Sequence, residues 1–314
     1  ILNSSGFQGS ATLCIVEENE TMFISTQGQS DEFMERSGGR LFSLSNTNSE
    51  NLRFAAQDLL ASGLLTTDDV VGVAAPDTAG QPEDVEEHLV NVLRDAGLEV
   101  VFDIIGCGGS TICTEGVPES VTNMRNAEIT AFFNAMGILT APGYIDEMVT
   151  QGFQPGDVQF FASDFNSQAS ELVSGQIANS PTSGDLYNGA IIIDFRDTGL
   201  YRSEGYQPQP LQEMCAALYN ENNTVGALHS WNDAGDSSYG MAVSVCNIVR
   251  TAARGIYDAG DNPTRDDIVT AMNALGPVDF GAMIPASIEE GKGSMPNVIQ
   301  TLDFSFPCTQ PIPY

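Results

Sequence analysis

The sequence predicts an α/β chain of parallel sheets with helices on both faces. Three observations carry that prediction. Short apolar runs suited to strands buried on both faces recur between residues 50 and 195. Amphipathic helical stripes separate them. The strand–helix–strand alternation repeats at a spacing that means a parallel sheet with helices on both faces.

The elements follow in order. Residues 1–3 and 22–25 read as two short strands. Residues 50–62 place Leu52, Ala55, Ala56, Leu59 and Leu60 on one helical face, and Gly63 ends it. Residues 70–75 form a continuous apolar strand. Pro82 opens the next helix, with Glu83, Asp84, Glu86 and Glu87 at the positive end of its dipole. Val85, Leu89, Val92, Leu93 and Ala96 make its buried stripe. Strands are then expected at 98–104, 128–133, 158–162 and 190–195, with helices at 142–151 and 167–179.

Residues 200–276 change character. Helical stripes run over 209–222 and 239–258, and Thr264 with Asp267 forms a capping box opening 265–275. A last strand at 298–306 can return to the sheet of residues 50–195. The result is two doubly wound parallel-sheet lobes crossed more than once by the chain. The expected lobes are 1–42 with 198–280, and 43–197 with 281–314. The first has few strands for its helices and reads as incomplete. The opening Ile1-Leu2-Asn3-Ser4-Ser5-Gly6 reads as a strand running into a loop, which leaves open a removed leader or a missing start.

Length and composition bound the function. The 314 residues carry 42 acids, 11 basic residues and a formal charge of −31. No stretch concentrates enough Arg or Lys to neutralise phosphates, which excludes a general nucleic-acid binder. The same charge disfavours anionic membranes, and no apolar run of spanning length occurs. Few lysines and many acids favour solubility outside the cell.

Six cysteines and two histidines offer no CxxC pair, so disulfides are expected rather than a metal site. Cys107 and Cys113 bracket a glycine-rich loop and form a local clasp; Cys215 and Cys246 sit on two helical patterns that can pack together. Cys14 and Cys308 are left over, either to pair with each other or with Cys14 paired to a residue preceding this sequence.

Catalytic signals are weak. No nucleophile elbow or P-loop occurs, and Gly106-Cys107-Gly108-Gly109 fails the dinucleotide pattern. His88 falls within a helix, and His229 near Trp231 reads as structural. Asn232, Asp233 and Asp236 lack the EF-hand pattern, and an acidic loop is their default. The expectation is a binding protein with no catalytic residues, cofactor or metal. Phe7, Phe42, Phe133 and Phe165 are equally a pocket wall or core.

In open parallel sheets ligands bind beyond the carboxyl ends of the strands. That rule selects the loops carrying Ser4, Ser5 and Gly6; Thr26 and Gln27; Asp77 and Thr78; Asn134 and Met136; and Asp164 and Asn166. Their hydroxyls, amides and carboxylates suit a small polar ligand.

The layout resembles the type I periplasmic binding proteins, the branched-chain amino-acid group that serves ABC transporters. The resemblance rests on the opening serine loop, Thr21-Met22-Phe23-Ile24-Ser25-Thr26, and the crossing at Arg40-Leu41-Phe42-Ser43. It continues through Asp69-Val70-Val71-Gly72-Val73 with Asp77, Met148 to Phe153, and Ala259-Gly260-Asp261-Asn262-Pro263-Thr264-Arg265. It implies capture of a small polar ligand, an amino acid or related compound, between two hinged lobes, and delivery to a transporter permease. It implies a periplasmic or extracellular site, secreted or lipid-anchored through a preceding segment.

By that resemblance Ser5 meets a ligand carboxylate, Gln27 and Gln29 lie on the loop contacting carboxylate and amino groups, and Asp164 pairs with an ammonium. Ala79 and the stretch Asn134 to Met136 stand where the family has aromatics, which opens the way to a ligand other than an amino acid. The alternatives are a ligand-sensing receptor domain of the same fold and a structural surface protein that uses the fold without a ligand.

Overall fold

The computed structural model describes residues 1–3, 11–78, 80–110, 112–165, 168–169, 171–195, 205–222, 238–280 and 285–307. Its strands in the first half are β1 (Leu2–Asn3), β2 (Phe23–Ser25), β3 (Leu41–Ser43), β4 (Val70–Pro76), β5 (Glu99–Ile105) and β6 (Ala131–Asn134). There follow β7 (Gln159–Ser163), β8 (Ile191–Asp194), β9 (Gly276–Val278), β10 (Ala286–Ile288) and β11 (Gln300–Asp303). The chain divides into two compact units, one of Ile1–Thr47 with Phe195–Ile299, the other of Asn48–Asp194 with Gln300–Thr309.

The first unit holds a parallel sheet in the order β1-β2-β3. Its core gathers Ile24, Phe42 and Leu44 with Ile248, Ala252 and Met272 from two helices, Ser238–Asp258 and Arg265–Asn273. The capping box at Thr264 is present: its hydroxyl accepts from Asp267 N, and the Asp267 carboxylate accepts from Thr264 N at 2.8 Å. A disulfide joins Cys215 on the helix Pro210–Asn222 to Cys246.

Residues 43–47 and 285–299 correct the expected lobe boundaries. They belong to this first unit, not the second. Backbone bonds decide it: Ser43 N donates to Gly293 O at 2.9 Å, and Met295 N donates to Ser43 O at 3.0 Å. β10 pairs antiparallel with β9, and Ile288 and Met295 enter the same core as Phe42. The three-residue strands β3, β9 and β10 are too short to show a period in the sequence.

The second unit is built on a six-stranded sheet in the order β11-β8-β7-β6-β4-β5. All its pairings are parallel except β11 with β8, so the final strand does return to this sheet, antiparallel at its edge. β4 is followed by β5 on one side and β6 on the other, which puts the reversal of strand order between β4 and β6. The sixth strand begins at residue 131 rather than 128, because Glu128 turns the chain at φ 54°. The helical region expected at 167–179 is two helices, Glu171–Ala178 and Pro181–Tyr187. A further helix, Val117–Asn126, fills the connection from β5 to β6.

The core beneath the sheet is an aromatic chain. Phe132 stacks on Tyr144 at 5.1 Å and meets Phe160 edge-on at 6.1 Å. Phe160 meets Tyr187 at 5.2 Å, and Tyr187 meets Phe304 at 5.4 Å. Burial pushes the phenols of Tyr144 and Tyr187 well above their ordinary pKa. The Tyr144 hydroxyl lies 2.7 Å from Ser120 Oγ, which resolves its polar end. Phe42, Phe133 and Phe165 are all fully buried, which settles them as core. Phe7, His229, Trp231, Asn232, Asp233 and Asp236 lie outside the described residues.

Two disulfides match the expected pairs, Cys107–Cys113 and Cys215–Cys246; Cys14 is exposed and unpaired among the described residues, and Cys308 lies outside them.

Two measurements check this packing. At Gly72 in β4 an added Cβ meets Met124 Sδ at 2.7 Å and Ile129 Cδ1 at 2.9 Å. Gly72→Ala is therefore expected to cost about 1–3 kcal/mol in urea unfolding. The Cys215–Cys246 bridge spans 31 residues. Replacing both cysteines by serine is expected to cost about 3–4 kcal/mol in the same assay under oxidising conditions.

Candidate functional site

The apolar strands end in polar residues. In the first unit β2 closes on Ser25 and β3 on Ser43, both fully buried. In the second unit β6 closes on Asn134, β7 on Ser163 followed by Asp164, and β8 on Asp194, all nearly or fully buried. Each stands at the carboxyl end of a parallel strand, where the sheet stops and the crossover begins.

In the first unit these groups knit one loop. Ser25 Oγ donates to Gln27 O at 3.0 Å, and Ser43 Oγ donates to the same carbonyl at 2.7 Å. Gln29 is 5% exposed, and its Nε2 donates to Gly28 O at 2.9 Å and Gln27 O at 3.2 Å. Gln29 therefore uses its amide to stiffen its own loop. Gln27 and Thr26 are half-buried beside it. Ser4, Ser5 and Gly6 lie outside the described residues.

In the second unit Asp77 and Thr78 are exposed on the turn that follows β4. The turn is held by Asp77 N donating to Ile105 O at 2.8 Å, and Thr78 Oγ1 lies 3.7 Å from Cys107 Sγ. The Cys107–Cys113 clasp thus braces a loop at the strand ends, with Cys113 N donating to Thr140 Oγ1 at 3.0 Å.

Asn134 occupies the centre of this end. It lies opposite Ala74 of β4 and Ala162 of β7, so it sits at the point where the strand order reverses. Small neighbours on both sides leave room above the sheet for its amide. Asn134 Oδ1 accepts from Met136 N at 3.2 Å, and Asn134 Nδ2 donates to Gln168 Oε1 at 2.8 Å. Met136 is fully buried, and Asp164 is 4% exposed. Asn166 lies outside the described residues.

The strand-end rule thus brings Asn134, Met136 and Asp164 together with Ser163 and Gln168. It missed Ser25, Ser43, Asp194 and Gln168. A signal for the first three was present: each is a polar residue closing an apolar run. Gln168 carries no such signal. Among the described residues no cluster of His, Cys, Asp or Glu could hold a metal, and no helix is long and apolar enough to cross a membrane. The set offers hydroxyl and amide donors and carboxylate acceptors, which suits binding of a polar molecule.

These features define the type I periplasmic binding protein fold. The chain is similar to a solute-binding protein of an ABC transporter from R. palustris in complex with 4-hydroxybenzoate, at 14% identity and TM-score 0.69 over 96% of this chain and 73% of that one. A branched-chain amino-acid ABC transporter structure from Thermus thermophilus with bound valine gives 10% identity and TM-score 0.69, over 96% and 74%. A fatty acid ABC transporter substrate-binding protein from Thermomonospora curvata gives 13% and 0.66, over 97% and 74%. No protein-family model matches the sequence, and no curated protein matches it.

Asn134 is fully buried and bonded on both sides of its amide. Asn134→Leu keeps the branched outline but strands Met136 N–H and the Gln168 amide oxygen. The expected cost is about 1–3 kcal/mol per stranded group, read by urea unfolding.

Proposed function

We propose that this protein is an extracytoplasmic solute-binding protein. It takes a small polar organic ligand at the carboxyl ends of its parallel strands and presents it to the permease of an ABC transporter. It performs no chemistry on that ligand. The observation that carries the reading is Asn134, a buried amide at the reversal of strand order, where open parallel sheets bind ligands.

The solved relatives support the class of ligand, since their bound molecules include 4-hydroxybenzoate and valine. The disulfides Cys107–Cys113 and Cys215–Cys246 support an oxidising compartment. The candidate contacts are Thr26 and Gln27 in the first unit, and Asp77, Thr78, Asn134, Met136 and Asp164 in the second. Ser4, Ser5, Gly6 and Asn166 remain candidates by the strand-end rule, Ser5 also by resemblance.

Calorimetry and thermal melts against valine, leucine, 4-hydroxybenzoate, 3,4-dihydroxybenzoate and short fatty acids test the reading. At least one compound is expected to bind with one-to-one stoichiometry. At a hundred times its Kd it adds about 2.7 kcal/mol of stability. Absence of binding across the panel overturns the proposal.

A further inference from the structure

Buried hydrogen-bonding groups in a native chain are almost always paired. Among the described residues two buried side-chain nitrogens have no partner, Arg40 Nε and Gln168 Nε2. Arg40 belongs to a guanidinium whose Nη2 lies 3.6 Å from Asp266, so its charge is answered at the surface. Gln168 has no such outlet. It is 1% exposed and stands five residues beyond the end of β7, bonded only through its oxygen to Asn134.

The direction of that bond is forced. Met136 N–H can only donate, so the Asn134 atom 3.2 Å from it is the oxygen. Asn134 therefore turns its nitrogen to Gln168, and the atom 2.8 Å away is the Gln168 oxygen. The Gln168 nitrogen is left facing away from Asn134. Flipping either amide breaks a bond upstream. The three groups form a one-way chain from a backbone N–H at the strand end to an unanswered donor, and each bond polarises the next.

We infer that Gln168 Nε2 is a specificity-determining donor for the ligand, and that the ligand presents an oxygen acceptor to it, as a carboxylate, phenol or carbonyl does. This rests on the solute-binding reading above and deepens it. An amine at this position would set donor against donor and leave both unsatisfied, so the contact discriminates against ligands that present nitrogen there. The donor is also neutral. It does not titrate, and it can donate to an anionic or a hydroxyl oxygen alike. Asp164, four residues earlier and equally buried, stands on the same strand-end loop. The competing occupant of the donor is an ordered water.

The test compares wild type with Gln168→Glu and Gln168→Leu by calorimetry. The probes are 4-hydroxybenzoate, 3,4-dihydroxybenzoate and valine, with isobutylamine, which is valine without its carboxylate, as the oxygen-free control. Whichever acid the wild type binds is expected to bind about tenfold to a hundredfold more weakly to both variants, the loss set by one buried donor. Isobutylamine, which offers no oxygen acceptor, is expected to bind the wild type far more weakly than valine.

Unchanged affinity in a folded variant overturns the inference and assigns the donor to water, while wild-type binding leaves the solute-binding reading standing. Failure of the wild type to bind any probe overturns both. Where neither variant folds, the side-chain amide resonances of Gln168 in the labelled wild type decide. They are expected to shift on saturation with the bound acid, and resonances that stay in place overturn the inference.

Discussion

A parallel sheet buried on both faces leaves polar groups only one place to go. β4 is apolar along its whole length and buried from Val71 to Pro76, with neighbours β5 and β6 on either side and helices covering both faces. A polar side chain in the middle of such a strand would lie in the aromatic core, without a partner and at a cost of several kcal/mol. Polar residues therefore collect where the strands stop. Ser25, Ser43, Asn134, Ser163 and Asp194 are the products of that constraint. The packing that stabilises each unit and the placement of its hydrogen-bonding groups have one cause.

The same constraint explains how much was legible in the sequence. A long run such as residues 70–76 announces itself because both faces must be apolar. The helix Val117–Asn126 was lost for a specific reason. Its buried stripe is Val117, Ser120, Val121 and Met124, and a serine breaks the apolar pattern where it meets the Tyr144 hydroxyl. The strands of three residues, β3, β9 and β10, carry no period at all. Placing residues 285–299 needed backbone pairing between Ser43 and the segment at 293–295, a contact of some 250 positions that no local pattern encodes.

The site was half legible for a related reason. Strand-end topology picks out loops, but not which of their side chains face inward. Gln29 looked like a ligand contact and instead ties its own loop. Gln168 falls within the helix expected at 167–179, stands before the observed helix Glu171–Ala178, and ends a directed chain of amides. The difference lies in what each amide finds within 3.5 Å. Two carbonyls of neighbouring residues answer Gln29, and Asn134 answers only the oxygen of Gln168. Local sequence fixes the first, and pairing across β6 and β7 fixes the second.

Charge enters last. The chain carries −31, yet among the described groups at the strand ends the hydrogen-bonding contacts are dominated by neutral hydroxyls and amides. These two facts are compatible because they act over different ranges. Surface charge is screened beyond roughly 10 Å at moderate ionic strength. A buried amide donor acts at hydrogen-bond distance and is stronger in a low-dielectric surrounding. An acidic surface therefore sets solubility and leaves recognition to short-range polar contacts, so an oxygen-bearing ligand, anionic or neutral, can be selected by a protein whose net charge alone would argue against it.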